Sequence, residues 1–492
     1  MGPWRVPRAE GVFPQQWCRK RTMESAGYTN IVLIVADDLG YGDLGFSGNR
    51  YVSTPALDNM ASQGVVLTQH YTASPIGAPA RASLLCGRYN HRTGALSVES
   101  SRGLDRFSVQ EATMADLFRS AGFATGMVGK WHNGLFDRRY HPNNRGFDEF
   151  VGFLNGGMDY YDWILDVNGQ SRRADGRYLT DVFTEEAVGF IRRHRDEPFF
   201  LYVAYNAPHS PLQAPGREIQ NFRDGGRFNE AVCRLYAMIQ RMDAGIGQIL
   251  AALQTCGLDE NTLVLFTSDN GPWLGTERLP DGKAYSMRRY NGPFRGMKQD
   301  VLEGGIRVPA IVRWPTRLPA GVGVEAMIHF CDWLPTLTAA AGVTARSPLP
   351  LDGANVLPVL QGESDSVCQQ RFWQFNRYEP VPGCNAAMRD GPWKLYWSCI
   401  PEAMAKLDID DVWYRGMFAA PHFEMPVDPS PVVRTLSAPG KPQLYNLTDD
   451  PSESENLALQ YPDRVRTMQR ALAGWFAEVN AERRGLPDVW HG

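Results

Sequence analysis

The run Ile31-Val-Leu-Ile-Val-Ala36 is unbroken, apolar and mostly β-branched, and it stops abruptly at Asp37-Asp38. Such a run reads as a central parallel strand buried on both faces. Ligands in open α/β sheets gather beyond the carboxyl ends of strands, and two adjacent carboxylates there suit a hard divalent cation. Taken alone, Asp-Asp-Leu-Gly reads equally well as a solvated turn. Outward from this strand the pattern alternates. Residues 65–69, 123–128, 198–204, 262–266 and 309–312 read as further strands. Thr54-Pro55 opens a helix with a capping hydroxyl and a first-position proline, and Gly64 closes it. Helical spacing recurs over 79–86 (closed by Gly87), 109–121 (closed by Gly122), 181–194, 229–253 and from about Asp332. Met238 and Met242 in the longest of these read as core filling. The alternation predicts an α/β fold, a mostly parallel sheet sandwiched by helices.

The chain has 492 residues, 43% hydrophobic and 21% charged, enough for two packed units. Pro350-Leu-Asp-Gly353 and Gln361-Gly-Glu-Ser-Asp365 read as the linker between them. Residues 28–365 would form the large unit. Residues 366–492 change pattern to short strands over 372–375, 385–388, 393–399 and 443–445, with a closing helix over 463–481, predicting a smaller α+β subdomain with an antiparallel sheet. Residues 1–27 are basic and contain no apolar run, so they read as a disordered extension, with Met23 as an alternative start and no secretory signal. No stretch reads as a membrane span, and the expectation is a cytoplasmic protein. A net charge of -4 provides no global field for nucleic acid or an anionic membrane, so any anion must be met by a local cluster. Eight cysteines without a CxxC spacing read as reduced thiols, and Asn446-Leu-Thr448 as an ordinary turn.

Several short segments carry chemistry. Ser268-Asp269-Asn270-Gly271 brings another carboxylate and an amide to a strand's carboxyl end. Gly129-Lys-Trp-His-Asn-Gly134 follows a strand, as does Asn206-Ala-Pro-His209-Ser-Pro-Leu212. Arg295-Gly-Met-Lys298 and Leu302-Glu-Gly-Gly-Ile-Arg307 come next, and Leu444-Tyr-Asn-Leu-Thr-Asp-Asp-Pro451 with Glu455-Asn-Leu457 lies near the end. Position 77, in Ser74-Pro-Ile-Gly-Ala-Pro-Ala-Arg-Ala-Ser-Leu-Leu-Cys-Gly-Arg88, falls at a helix N-terminus, where backbone amides favour an anion. Singly, each segment has a bland reading as a surface lysine, a capped loop histidine or a solvated turn.

In this order and spacing, the segments resemble the formylglycine-dependent (type I) sulfatases of the alkaline phosphatase superfamily, over residues 30 to about 457. Pro79, Arg81, Gly87 and Arg88 match that family's nucleophile segment, and Gly77 occupies the position of the Cys or Ser that is oxidised to formylglycine. Cys86 sits nine residues later, in the Thr-Gly-Arg part of the segment, and reads as a buried thiol. The resemblance implies an alkaline-phosphatase-like fold and a Ca²⁺ ion, with Mg²⁺ or Mn²⁺ as alternatives, on Asp37, Asp38, Asp269, Asn270 and the residue at 77. It also implies Lys130, His132, Lys298 and Arg81 around the sulfate, with Lys130, His209 and Lys298 touching substrate and His209 near the ester oxygen. A formylglycine-generating or anaerobic maturation enzyme is the implied partner.

The family's hydrated formylglycine attacks sulfur with one hydroxyl and expels sulfate with the other, while metal and lysines stabilise the sulfuryl oxygens. Glycine attacks nothing. Position 77 is therefore a formylglycine written as its glycine parent, an engineered knock-out or a natural loss of the nucleophile. The expected activity is sulfate monoester hydrolysis, of carbohydrate rather than aryl sulfates. The alternatives are a phosphonate monoester or phosphodiester hydrolase and an inactive binder of sulfated glycans. Gly156-Gly-Met-Asp-Tyr-Tyr-Asp-Trp163 and Trp373, Trp393 and Trp397 read either as sugar-stacking surface or as buried core.

Overall fold

The computed structural model describes residues 28–410, 427, 428 and 430–491. The N-terminal extension inferred for residues 1–27 lies outside this range. The strand Asn30–Ala36 is buried along its whole length and pairs in parallel with Phe199–Ala204 on one side and Thr262–Ser268 on the other. Its side chains alternate between two cores. Val32, Ile34 and Ala36 enter a cluster with residues of the helices Leu179–Arg193 and Glu230–Thr255, while Ile31, Leu33 and Val35 enter one with the helices Gly77–Cys86, Met114–Ser120 and Trp333–Ala340. Full burial of such a side chain is worth roughly 1.5–3 kcal/mol. The apolar run therefore fixes the centre of the sheet and obliges helices to cover both faces.

Around this strand the main sheet has ten strands, in the order Val322–Val324, Val65–Leu67, Ala310–Arg313, Thr262–Ser268, Asn30–Ala36, Phe199–Ala204, Ala124–Lys130, Glu149–Phe153, Ile164–Val167 and Gln170–Arg173. The centre is parallel. Ala310–Arg313 runs antiparallel to both neighbours, and the last two strands form an antiparallel edge. A separate antiparallel sheet joins Gln370–Gln374, Ala386–Asp390, Trp393–Trp397 and Gln443–Asn446. One face takes the helix Pro462–Arg484 through Met468, Leu472 and Trp475; the other puts Trp373, Tyr396 and Tyr445 against Tyr71, Val301 and Ile306 of the large unit.

Three local expectations change. The stretch 350–353, read as linker, is packed. Asp352 and Gly353 donate their amides to the Gly87 carbonyl, and a Cβ at Gly353 would lie 1.8 Å from the Cys331 carbonyl oxygen. The segment 109–121 becomes helical only at Met114, because Thr113 and Asp116 form a capping box and the Asp488 carboxylate holds the Val109 amide. Thr54 does precede the helix Pro55–Ser62, but its hydroxyl donates to Asp58 and accepts from the Gly45 amide. The cap comes from Asp243 in the long helix, which accepts the Ala56 and Leu57 amides at 3.1 and 2.8 Å. Gly64 follows this helix because a Cβ would lie 2.4 Å from the Val312 carbonyl oxygen.

Met238, Met242 and Cys86 are buried in the cores, and the seven cysteines among the described residues are free thiols. Among the described residues no helix is long and apolar enough to cross a membrane.

Candidate active site

Neighbouring strand ends are tied together before any side chain is placed. The Asp37 amide donates to the Ala207 carbonyl at 3.1 Å, the Asp269 amide to Ala36 at 3.1 Å, and the Asp38 amide to Asp269 Oδ1 at 3.2 Å. Asp38 has φ 63°, an αL geometry that a non-glycine residue holds only where its surroundings over-determine it. At Gly129, φ is 113° and a Cβ would lie 2.0 Å from the Ala204 carbonyl oxygen. Only glycine lets that strand end lie close enough for Lys130 Nζ to reach Asp37 Oδ2, at 2.6 Å.

The other charges pair around the same point. Lys298 Nζ lies 2.7 Å from Asp38 Oδ2. Arg81, fully buried on the helix Gly77–Cys86, donates Nε and Nη2 to Asp269 Oδ2 at 3.0 and 2.8 Å, and its Nη2 is 3.7 Å from Asp37 Oδ1. Asn270 Nδ2 donates to Asp38 Oδ1 at 2.8 Å. His209 Nδ1 lies 2.7 Å from the Ser210 carbonyl oxygen, which makes Nδ1 the protonated nitrogen, and Nε2 stands 3.8 Å from Asp38 Oδ2. Residue 77 opens the helix beneath this cluster. A Cβ there would point at Asp269 Oδ2, 2.7 Å away, with Asn270 Oδ1 at 3.7 Å. The structure thus brings together all ten residues singled out as candidates, His132 included.

Burial raises the Asp37 carboxyl well above the usual carboxylate range, Lys130 opposes that shift, and the nearby Asp269 adds to it. Burial also acts against ionised Asp38, but Lys298 and His209 overcome it and hold that carboxyl low. Lys130 is lowered by burial, whereas in Lys298 the Asp38 charge outweighs burial and raises it. His209 is pushed down to about 3 by burial and by Lys298. His132 is neutral for the same reason, with Lys130 contributing, and both of its ring nitrogens are buried without a hydrogen-bond partner.

A divalent cation fits this donor set. Asp37 Oδ1 and Asn270 Oδ1 are buried with no hydrogen-bond partner, and unpaired buried oxygens of this kind demand a ligand. Ligand atoms of Asp37, Asp38 and His209 lie within 4.8 Å of one another. His209 therefore borders the cation site, a position its motif did not indicate. Thr72 and Asn133 were not legible either. Thr72 Oγ1 donates to the Asp269 carbonyl at 2.6 Å, and Asn133 Nδ2 ties the Ala78 and Asp105 carbonyls, positioning the helix that carries residue 77. Thr72 lies in no motif, and Asn133, although within Gly129-Lys-Trp-His-Asn-Gly134, acts through backbone oxygens that the motif does not reveal.

The family model described as Sulfatase matches residues 29–343, well over half of the chain, and one described as N-sulphoglucosamine sulphohydrolase, C-terminal, matches 297–396. The chain belongs to the sulfatase family. It is 30% identical to steryl-sulfatase of Mus musculus, over 93% of this chain and 83% of that protein. It is 35% identical to N-acetylgalactosamine-6-sulfatase of Homo sapiens, over 67% of this chain and 65% of that one. The crystal structure of Ps i-CgsB in complex with k-i-k-neocarrahexaose superposes with a TM-score of 0.75 at 29% identity, covering 94% and 95% of the two chains. The fold is alkaline-phosphatase-like, and the protein is a sulfuric ester hydrolase by family.

In this sulfatase most of the aromatic residues weighed as sugar platforms are structural. Tyr160 donates to the Asn206 and His209 carbonyls and so fixes the His209 loop, Trp163 is buried, and Trp373 is buried with its indole N–H on the Thr72 carbonyl. Trp393 packs against Tyr461 and beneath Arg464 in the C-terminal sheet.

Proposed function

We propose that the protein hydrolyses the sulfate monoester of a sulfated carbohydrate. A formylglycine at position 77 would serve as nucleophile, with a divalent cation on Asp37, Asp38, Asp269 and Asn270, Ca²⁺ being the first choice. The observation that carries this reading is the convergence of three carboxylates and three cationic side chains on the backbone of residue 77, at a helix N-terminus. The formylglycine hydrate would supply the attacking oxygen and the cation would polarise the sulfuryl oxygens. Lys130 and Lys298 bind and orient those oxygens as negative charge builds on them. Arg81 holds Asp269 and closes the charge cluster from below. His209, which lines the cavity beside Asp38, would give a proton to the departing alcohol oxygen from Nε2 only in its doubly protonated form, returning to the neutral ring with Nδ1 still on the Ser210 carbonyl. Carbohydrate is favoured on the 35% identity to N-acetylgalactosamine-6-sulfatase, against 30% for steryl-sulfatase, and on the likeness to the neocarrahexaose complex.

Mass spectrometry of the tryptic peptide Tyr51 to Arg81 decides the state of residue 77. If it carries formylglycine, the protein should hydrolyse sulfated sugars faster than phosphonate or phosphate esters. If it is glycine, the protein should bind sulfate esters without turnover, as the intact charge cluster allows, and Gly77→Cys produced with a maturation enzyme should gain sulfatase activity by many orders of magnitude. Verified formylglycine that hydrolyses no sulfate ester would overturn the reading.

A further inference from the structure

Beside the charge cluster opens a cavity of about 220 Å³, which Lys298, His209 and Asp38 share with Trp273, Glu277 and an apolar floor that includes Leu235 and Met287. Its outer wall is the two-stranded hairpin of Thr276–Arg278 and Ala284–Ser286, inserted between the Asp269-Asn270 strand end and Lys298. Alternation along the hairpin leaves Thr276 and Arg278 exposed and puts Glu277 on the inner face, with Leu279 and Met287 buried. A carboxylate is an unexpected choice for the inner wall of an anion-binding site. Its cross-strand partner Tyr285 does not engage it, since the Tyr285 hydroxyl donates to Asp281. Among the described residues the Glu277 carboxylate has no hydrogen-bond or ion-pair partner. Burial raises its pKa, Asp38 adds to that shift, and only Lys298 offsets it. Among the described residues only the charge of Lys298 favours an ionised carboxylate there.

Its neighbours narrow what it faces. The Trp273 indole is held in place: a Cβ at Gly275 would lie 2.4 Å from the ring, and Nε1 donates to the Thr276 carbonyl at 3.4 Å. Arg289 lines the same cavity but is fully engaged. It binds both oxygens of buried Asp43 at 2.7 and 2.8 Å and donates to the Trp273 carbonyl at 2.9 Å. Among the described residues lining the cavity, Lys298, shared with Asp38, and the engaged Arg289 are the lysine and arginine side chains, while Glu277 repels a second anion. Its volume lies below the roughly 300–1,000 Å³ of sites for drug-sized ligands, a size that suits a single sugar ring.

We infer, resting on the sulfate-ester reading above, that this cavity seats a single neutral sugar ring on Trp273, that Glu277 accepts hydrogen bonds from its free hydroxyls, and that Glu277 rejects rings carrying a second anionic group. A carboxylate accepts hydroxyl protons strongly and disfavours sulfate or uronate oxygens by like-charge repulsion.

The test is titration calorimetry on the full chain in Ca²⁺ with a hexose 6-sulfate, the 4,6-disulfate of the same hexose and inorganic sulfate. The parent protein should bind the monosulfate at least roughly tenfold more tightly than the disulfate, and Glu277→Gln, which keeps size and hydrogen bonding but not charge, should remove most of that preference. Trp273→Ala should weaken the monosulfate by roughly tenfold, as loss of an aromatic anchor does. Equal affinities in the parent, or a preference unmoved in Glu277→Gln, would overturn the role of Glu277. Inorganic sulfate reaches the charge cluster alone and so separates the two readings. If it binds and Lys298→Ala weakens it, the cluster stands whatever Glu277 does. If it does not bind the parent, both readings fall.

Discussion

Asp37 stands in a conflicted environment: Lys130 holds one of its oxygens, while the other is buried with no hydrogen-bond partner. Each lysine of the cluster is likewise occupied by an aspartate, so in this state neither the carboxylates nor the ammonium groups are fully available to outside ligands. Cation and sulfate should therefore bind in mutual support, because carboxylates turned toward a cation release lysines for an anion. Sulfate affinity should rise on adding Ca²⁺ and fall on chelation, and calorimetry should show Ca²⁺ affinity rising by the same factor in sulfate, as linkage requires. Asp269→Ala should lose most bound metal in elemental analysis, and stoichiometric retention would remove Asp269 from the ligand set. In the formylglycine form, Lys298→Ala should lower turnover by roughly tenfold or more. These residues were legible because each lies within a few positions of a strand end or in a short motif. Glu277 and Trp273 were not, since they belong to an inserted hairpin whose sequence resembles any exposed loop, and only the cavity reveals which way they face.

At the scale of elements, the apolar strands and long helices were readable because burial on both faces leaves an unbroken pattern. Short edge strands leave little. Glu149–Phe153 is five residues long, and the hairpin Ile164–Val167/Gln170–Arg173 went unread, although its Asn168-Gly169 turn has the φ values of 51° and 85° that a two-residue hairpin requires. The helix Pro55–Ser62 shows a different limit, since its cap comes from a residue 186 positions away from Leu57 in the chain. Burial raises the Asp243 carboxyl to about 6, and the two backbone amides only partly offset this. A carboxyl raised in the folded state binds more protons there than when unfolded. Its contribution to stability is full below the unfolded pKa near 3.8 and is lost as pH rises through about 6. On lowering pH from 7 to 4, the wild type should gain on the order of 2 kcal/mol over Asp243→Asn, read as a widening gap in thermal denaturation midpoints. A gap that does not change with pH would place this carboxyl in its ordinary range.

Across the whole molecule, the four-stranded sheet is held to the large unit by a buried charged centre as well as by apolar contact. Lys394 on the strand Trp393–Trp397 lies 2.9 Å from Glu303 and 2.9 Å from Glu453, with all three side chains fully buried. Glu303 also accepts from the Tyr71 hydroxyl at 2.6 Å, and its own amide donates to Glu453 at 2.7 Å. Burial acts against ionised Glu303, but Lys394, Arg307 and Arg389 outweigh it and hold this carboxyl down to about 2, while burial raises Glu453. The same Glu303 opens the short helix Glu303–Ile306, five residues after Lys298, so this centre sits close in sequence to the sulfate-binding lysine. A buried ion triad of this kind adds little net stability compared with an apolar replacement, but removing one member leaves charge unpaired in a dry interior. Lys394→Met should therefore destabilise by roughly 3–5 kcal/mol, seen as a lowered denaturation midpoint and faster amide exchange in the strands Ala386–Asp390 and Gln443–Asn446. Adding Glu453→Gln to that variant should recover much of the loss, because Glu303 keeps Arg307 at 3.4 Å and Glu453 is the carboxylate left without its cation. If Lys394→Met alone is nearly neutral, water or a proton already neutralises the centre, and apolar packing of Trp373, Tyr396 and Tyr445 against Tyr71, Val301 and Ile306 holds the two units together unaided.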